Sequence, residues 1–297
     1  MVNRHRIGLV IAAAALWALL SIWVTEALAA GVGPREVGFW RAAVGAGCFA
    51  LHALLNRSRL EVRQLPSGFV LGVIGVALFF VALPEAVSRA GIGIAWVLLY
   101  TAPGFVLVVA WLQGAPVRLR PVGLLAMVLL GVALIAGDTA TIGSGTGLLW
   151  GLVSGAAYAS HYVVGGSAAP GSPLSRYAFA LGIGALMIVP FVDWAPKSPE
   201  AWFHLVSTGV VSTYLPFLAL AYALRTVDPT TAAMLATLEP VFATTIAATA
   251  YGDVLGPVTL IGGVLILGAA TLSATRPATA AASRPALHRT PPGHDSR

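Results

Sequence analysis

The stretch TAAMLATLEPVFATTIAATAYGD, Thr231–Asp253, places Glu239 and Pro240 near the middle of a run of mostly small and apolar residues. A charge at mid-membrane depth costs on the order of 3 kcal/mol or more. Proline removes a backbone N–H donor and strains the carbonyl four residues earlier, here that of Ala236. Backbone groups freed in this way can be satisfied where the helix faces a polar cavity. The stretch therefore predicts a membrane helix that is interrupted at such a cavity.

The composition of the whole chain is typical of a polytopic membrane protein. Of its 297 residues, 58% are hydrophobic and only 9% are charged, and the mean hydropathy is +0.87. A soluble domain carries about 25% charged residues. The net charge of +6 would suggest nucleic acid in a soluble protein, but here arginines flank apolar runs. We therefore expect a lipid bilayer and no nucleic acid as the partner of this chain.

Ten apolar stretches come close to the length of about 20 residues that a helix needs to cross a bilayer. They are Ile7–Ala30, Val37–Leu55, Gly68–Val87, Ile92–Leu112, Pro121–Gly137, Gly145–Gly166, Pro173–Phe191, Trp202–Leu224, Thr230–Tyr251 and Pro257–Ser273. The links between them are too short to hold a soluble catalytic domain. The fold class predicted is therefore an all-α polytopic membrane protein with ten transmembrane helices.

The basic residues set the predicted orientation of these helices. With the N-terminus inside, three of them fall in outer links, namely Arg35, Arg89 and Lys197. Ten fall in inner segments: Arg4, Arg6, Arg57, Arg59, Arg63, Arg118, Arg120, Arg176, Arg225 and Arg276. Because positive residues concentrate on the cytoplasmic side, both termini are predicted to be cytoplasmic.

An internal repeat divides the chain into two halves. A shift of 137 residues (240 minus 103) places Pro103 on Pro240 and Gly131 on Gly268. The domains predicted are a first five-helix repeat at 1–140 and a second at 141–275, followed by a disordered cytoplasmic tail at 276–297 that is rich in proline, alanine and arginine. Five is odd, so the second repeat enters the membrane inverted. Inverted repeats are typical of secondary transporters, whose substrate site lies near the midplane between the copies.

Glu239 is the leading candidate for a functional residue at that midplane. In one interpretation it faces the cavity and either contacts a cationic group of the substrate or takes up a coupling proton. In the other it is a protonated carboxyl that bonds a neighbouring helix and serves only packing. Pro103 and Pro240 are predicted as structural breaks that open their helices onto the cavity.

Aromatic and hydroxyl side chains that share helix faces are further candidates for the cavity wall. They are Trp17, Ser21, Trp96, Tyr100, Tyr158, Tyr162 and Tyr214. For any single residue we favour packing between helices or an aromatic belt at the membrane surface, whereas for the set as a whole we expect that some members line the cavity. His161 lies on the same face as Tyr158 and Tyr162, and we interpret it as a hydrogen-bonded structural group.

Arg41 lies a few residues inside the second predicted helix. Two explanations are open: its long side chain reaches outward to the membrane surface, or it pairs with an acid such as Glu26 or Glu36. In either case it is predicted to be a structural charge, with direct substrate contact as a third possibility.

Motifs of enzymes and of bound cofactors are absent from the sequence. It has no HExxH, GxSxG or GxxxxGK[ST] pattern, and its single lysine is Lys197. Six scattered histidines and the single Cys48 provide neither a metal-ligand spacing nor an intramolecular disulfide. We therefore expect no catalytic residue, metal or cofactor, and no ATP-driven pumping by this chain alone.

The ordered combination of motifs resembles the EamA-type branch of the drug/metabolite transporter superfamily. The strongest stretch is LEPVFATTIAATAYGDVLGPVTLIGGVLILGAATL, Leu238–Leu272. Shorter matches are ALWALLSIWV, FWRAAVG, YTAPGFVLVVAW and AAYASHYVV in helices one, two, four and six, and Ser212–Leu235. Gly252-Asp253 stands where the family usually has Gly-Glu, and Ser21 where it often has glycine.

The resemblance implies ten helices, cytoplasmic termini and export of small metabolites, amino acids above all, by alternating access. Protons or a counter-solute would supply the driving force. The chain is accordingly predicted to be a secondary active transporter of the inner cell membrane that exports amino acids or related metabolites. A broad drug efflux protein and a membrane scaffold or regulatory partner without transport are the alternatives. The sequence does not specify an oligomeric state.

Overall fold

The computed structural model describes residues 4–57, 60–116, 118–137, 144–167, 171–194, 196–250 and 254–275. This part of the chain is helical and contains no β-strand, which confirms the predicted all-α class. Its helices are α1 (His5–Ala29), α2 (Pro34–Leu55), α3 (Val62–Ala90), α4 (Ile92–Leu112), α5 (Leu119–Ala136), α6 (Gly145–Gly165), α7 (Pro173–Phe191), α8 (Pro199–Ala223), α9 (Pro229–Thr249) and α10 (Pro257–Ala274).

Within the described ranges, nine of these helices are long and apolar enough to cross a membrane. The exception is α6, whose 21 residues include several glycines, serines and tyrosines and one histidine. At 1.5 Å per residue it is about 31 Å long, which matches the thickness of the hydrocarbon core. Its polar side chains Ser154 and His161 are buried against protein. The length of α6 therefore fits the prediction, although its composition is more polar than that of the other nine.

Corresponding helices of the two halves make corresponding contacts. Helix α2 packs along α7, and α5 packs along α10. Helix α3 packs on α6, while the equivalent pair, α8 and α1, packs in the same way. The two halves therefore interlock as a pair of related repeats instead of standing as separate bundles. The predicted boundary at 140/141 and the tail 276–297 lie outside the described residues.

Irregular backbone recurs at equivalent positions of the two repeats. Helix α4 is interrupted at residues 100–101 and α9 at residues 237–238, a separation of 137 residues (237 minus 100). A π-type segment of wide turns occupies Leu71–Leu78 in α3, and another occupies Val210–Tyr214 in α8. The same shift carries 71–78 onto 208–215. π-type turns and helix breaks are frequent at functional sites. The helices that carry them in both repeats are therefore the helices expected to build such a site.

Three of the arginines predicted inside bond to the carboxyl ends of other helices. Arg6 at the start of α1 donates to the carbonyl of Tyr222 in α8. Arg120 in α5 donates to the carbonyl of Leu272 in α10 at 2.7 Å, and Arg176 in α7 donates to a carbonyl of α6 at 2.7 Å. The last carbonyls of a helix lack intrahelical donors and carry partial negative charge. These arginines therefore satisfy helix ends as well as marking one side of the membrane.

A buried ion pair closes the opposite end of the molecule. Glu36, in the first turn of α2, pairs with Lys197 in the link before α8, and their side chains are almost fully buried. Trp40 donates to the same carboxylate at 3.3 Å, and Trp194 and Trp202 flank the ammonium at 5.8 and 5.6 Å. Burying two charges is costly unless they are paired and surrounded by such groups.

Removing one partner of this pair is expected to destabilise the protein strongly. In K197M the Glu36 carboxylate stays buried without its cation, which costs about 3–5 kcal/mol. That loss corresponds to a fall of roughly 10 °C in melting temperature. Thermal unfolding of purified protein in detergent measures the change.

The double variant E36Q/K197M and the exposed pair Glu61–Arg63 provide the controls. Because the double variant removes both charges, it is expected to melt closer to wild type than K197M does. R63Q breaks a pair whose arginine side chain is 64% exposed, and it should leave the melting temperature unchanged. A K197M protein that melts with the wild type would contradict the assigned role of the pair.

Candidate functional site

The Glu239 carboxylate lies where α9 is broken. Glu239 is 7% exposed and begins the second half of the helix, Glu239–Ala250. Pro240 therefore occupies the first turn of a new helical segment, where a backbone N–H has no helical partner to lose. An acidic side chain in that turn is also favoured by the helix dipole. This geometry explains why the sequence places a carboxylate and a proline side by side.

The equivalent break in α4 brings Tyr100 to Glu239. Tyr100 is fully buried, and its hydroxyl interacts with the Glu239 carboxylate. Pro103 occupies the first turn of the second segment of α4, as Pro240 does in α9. Trp96 is half-buried and stacks on Tyr100 with ring centroids 5.9 Å apart. Both predicted breaks therefore lie at the cluster, and each places a polar side chain there.

Arg41 of α2 extends toward this cluster, and among the described residues it forms no direct ion pair with Glu26 or Glu36. Its Nε donates to the Thr213 hydroxyl of α8 at 2.9 Å, and its guanidinium lies 4.5 Å from the centre of the Phe80 ring. The acid that it interacts with electrostatically is Glu239. It cannot pair with Glu36, whose carboxylate is bound by Lys197 at the outer end. Arg41 does not reach outward because α8 holds its side chain in the protein.

Aromatic rings from several helices pack against one another close to Arg41 and Glu239. Tyr158 of α6 lies 5.9 Å from Trp17, 5.4 Å from Phe79 and 5.4 Å from Tyr162, measured between ring centroids. These rings are almost completely buried. The hydroxyls of Tyr158 and Tyr162 interact with each other, and neither has a further hydrogen-bond partner among the described residues. Both tyrosines also interact electrostatically with Glu239, so the hydroxyl pair belongs to the same cluster as the carboxylate.

Two of the predicted cavity residues have hydrogen bonds of their own outside the Arg41–Glu239 cluster. Ser21 is exposed, and its hydroxyl donates to the carbonyl of Ala18 in its own helix at 3.0 Å. The Tyr214 hydroxyl bonds Nδ1 of His52 at 2.6 Å, because its ring leans toward the carboxyl end of α2. The periodicity of a helix defines which residues share a face, but it does not say which neighbour that face meets.

His161 is held inside the protein as interpreted from the sequence. Its Nε2 bonds the carbonyl of Gly75 at 2.8 Å, and this carbonyl belongs to the wide-turn segment of α3. Its ring stacks on Phe217 at 4.5 Å. The carbonyl oxygen can only accept, so Nε2 is the donor. His161 therefore joins α6 to α3.

Sequence reasoning missed the groups that hold Arg41 in place. Thr213 accepts from Arg41, and its own hydroxyl donates to the carbonyl of Thr208 at 3.0 Å, across the wide turns of α8. Thr213 carries no periodic signal, since its role depends on a local departure from α-helical geometry. Phe80, which covers the guanidinium, lies in α3 of the same repeat as Arg41. Only the contact between α2, α3 and α8 identifies either residue.

Comparison with known protein families gives a match along most of the chain. The sequence profile of the EamA-like transporter family matches residues 6–137 and 145–275. The chain belongs to the EamA-like transporter family. The resemblance of the LEPVF and YTAPGF motifs is thereby confirmed, and the protein is a multi-pass membrane transporter.

Curated relatives agree with this assignment to a transporter family. An uncharacterised transporter of Archaeoglobus fulgidus is 29% identical over 200 residues, which cover 66% of this chain and 73% of the relative. The uncharacterised transporter YdfC of Bacillus subtilis is 27% identical over 260 residues, covering 80% and 81%. A solved crystal structure superimposes with a TM-score of 0.79 at 19% identity and covers 92% of this chain and 97% of its own. That likeness supports the fold.

The close approach of α4 to α6 is expected to depend on Gly155. A Cβ atom there would lie 2.6 Å from the Leu98 carbonyl oxygen and 2.6 Å from the Thr101 hydroxyl. G155A would push the broken part of α4, with Tyr100, away from α6. We expect transport to fall about tenfold or more, because small misplacements at a site cost that much. Solute flux in proteoliposomes, normalised to inserted protein, measures it.

Gly47 of α2 is the matched control for this substitution. It is exposed, and a Cβ atom there would meet nothing within 4 Å. G47A should therefore transport like the wild type. If G155A and G47A behaved alike, the packing of α4 on α6 would not position the site.

Proposed function

We propose that this EamA-like transporter is a secondary active transporter that exports amino acids or related small metabolites across the inner cell membrane. Both termini would lie in the cytoplasm, since the arginines that bond helix ends, such as Arg120, mark one side. Alternating access between the two repeats would carry the substrate past Glu239. Protons or an exchanged solute would supply the driving force.

The observation that carries the proposal is the position of Glu239 between the repeats. Its carboxylate belongs to the second repeat and is buried at a helix break, while its partners Tyr100 and Arg41 belong to the first. Intramembrane acids are costly and usually mark pathways. A site that both repeats build is the arrangement expected when one repeat moves against the other around a bound substrate.

The two halves of α9 differ in how tightly they pack. Every residue from 230 to 239 is buried, whereas those from 241 to 249 are only partly buried or exposed. The first half contacts α1, α4, α5, α6 and α10, and the second half contacts mainly α1 and α10. Weakly packed segments open at lower free energy. In our proposal the second half of α9 moves at the break, and the first half holds the cytoplasmic side closed.

Broad efflux of hydrophobic drugs is the second candidate function. The aromatic rings of Trp17, Tyr158 and Phe79 beside Glu239 support it, because such walls suit many apolar solutes. Drug efflux would tolerate ligands without a charged group, and metabolite export would not. A scaffold without transport would show no flux from pure protein.

The E239Q variant tests the proposed function directly. We expect wild-type protein in a bacterial host to enrich a few small molecules outside the cell, and E239Q at matched membrane abundance to enrich them at least about tenfold less, since one lost charged contact is worth about that factor. Mass spectrometry of the medium measures both the identity and the amount.

E85Q is the matched control for the loss of a carboxylate. Glu85 pairs with Arg89 at 2.7 Å on the partly exposed end of α3, away from the cluster, so E85Q should export like the wild type. Equal enrichment by wild type and E239Q would assign the carboxylate to packing. Absence of export by the wild type, together with absence of flux from pure protein in liposomes, would favour the scaffold.

A further inference from the structure

We propose that a cavity between α5, α9 and α10 binds the phosphate of a phospholipid headgroup. The cavity lies at the end of the molecule where α5 and α9 begin and α10 ends, which is the predicted cytoplasmic end. It measures about 250 Å³, including the part that is open to the surroundings. Thr230 in its wall precedes Glu239 by nine residues (239 minus 230), or about 14 Å along a helix axis. The site is therefore separate from the central cluster, and the inference goes beyond the proposed function.

Arg120 supplies the positive charge of this cavity. It stands in the first turn of α5, and its Nη2 donates to the Leu272 carbonyl of α10 at 2.7 Å and meets the Thr275 hydroxyl at 3.5 Å. Within the described part of the chain these are its hydrogen bonds, so Nε and Nη1 keep their donors. A guanidinium that is anchored at one nitrogen presents its other donors in a fixed plane, which suits the oxygens of a phosphate.

Two buried hydroxyls line the same cavity without a partner. Thr230 in the first turn of α9 is 6% exposed, and Ser273 near the end of α10 is 5% exposed. Neither hydroxyl makes a hydrogen bond to another described residue, whereas Thr271 and Thr275 donate to carbonyls of their own helix at 2.8 and 3.1 Å. A buried hydroxyl without a partner is costly. Phosphate oxygens in the cavity would accept from both hydroxyls.

The charge balance of the cavity favours an anion. Arg120 is the charged residue of its wall. The nearby Asp228 carboxylate lies outside the wall and accepts from the backbone N–H of Thr231 at 3.1 Å. Basic pockets between transmembrane helices on the cytoplasmic side are sites where anionic lipid headgroups bind. The second repeat carries no such arginine, because the position equivalent to Arg120 (120 plus 137) is Pro257.

An exposed apolar surface on the same helices identifies the phosphate as that of a lipid. Leu119 and Val122 of α5, with Leu267 and Leu272 of α10, are each at least 46% exposed. In a membrane, acyl chains cover such a surface. A soluble phosphate compound would occupy the cavity alone, whereas a phospholipid would use both the cavity and the adjoining surface. The ligand class that fits is therefore a phospholipid of net negative charge.

Three probes separate the phosphate from the acyl chains in a binding experiment. Dioleoylphosphatidylglycerol carries both, dioleoylglycerol lacks the phosphate, and glycerol 3-phosphate lacks the chains. We expect full-length wild-type protein in detergent to bind phosphatidylglycerol at least about tenfold more tightly than dioleoylglycerol, since hydrogen bonds to a charged group are worth about that factor. Glycerol 3-phosphate at an equal concentration should not displace the lipid. Native mass spectrometry measures the fraction of protein that carries each lipid.

Variants of the cavity wall are expected to lose this preference. R120Q should bind phosphatidylglycerol and dioleoylglycerol about equally. The double variant T230V/S273A leaves Arg120 and its bond to α10 in place, and it should lower the preference about threefold or more, because it removes both hydroxyl donors. R63Q is the matched control: it removes an arginine that is paired with Glu61 and largely exposed, and it should keep the wild-type preference.

Each other outcome would overturn the inference. An equal loss of preference in R63Q and R120Q would assign it to surface charge in general. Displacement of the lipid by glycerol 3-phosphate would assign the cavity to a soluble phosphate compound. If R120Q does not fold, the double variant decides, since it keeps the bond that holds the end of α10. A double variant with the wild-type preference would show that the cavity does not hold the phosphate.

Discussion

A carboxylate held inside a membrane protein must find its partners in the protein, and this requirement organises the centre of the molecule. Glu239 is buried at a break in α9, beside Tyr100 at the equivalent break in α4 and within the field of Arg41. The breaks themselves leave backbone groups that lipid could not satisfy. The helix breaks and the buried charge both need polar partners that lipid does not supply. They are therefore found together inside the protein, where the aromatic rings pack around them.

The two repeats share their backbone but not their charges. The breaks at 100–101 and 237–238 and the wide-turn segments of α3 and α8 recur at one spacing. At the same spacing Ala102 corresponds to Glu239, and Ala178 corresponds to Arg41. A symmetric scaffold thus carries an asymmetric site. In our proposal the symmetric part supports an exchange between two equivalent arrangements of the helices, and the asymmetric part would orient a substrate.

Charged residues at the two ends of the molecule have a different role from the central pair. Arg6, Arg120 and Arg176 bond to the last carbonyls of neighbouring helices, and Lys197 meets Glu36 in a shell of tryptophans. Each of these charges has a direct partner. Arg41 and Glu239 interact without a direct ion pair. This contrast distinguishes charges that are paired directly from the two that interact at a distance.

Composition, apolar run lengths and the repeated proline determined by themselves that this chain is an all-α membrane protein of two repeats, because the bilayer leaves few solutions to a hydrophobic chain. The sequence also singled out Glu239 as a candidate, since a carboxylate within an apolar run can be recognised without knowledge of its contacts. Only the tertiary structure shows which side chains interact with Glu239, namely Tyr100 and Arg41. The sequence left Arg41 between the membrane surface and an acid such as Glu26 or Glu36, and it gave no sign of Thr213. The contact that holds Arg41 joins helices far apart in the chain, and in α8 it depends on wide turns that shift the faces of the helix. The periodicity of a single helix carries no information on contacts between distant helices or on such local departures from α-helical geometry.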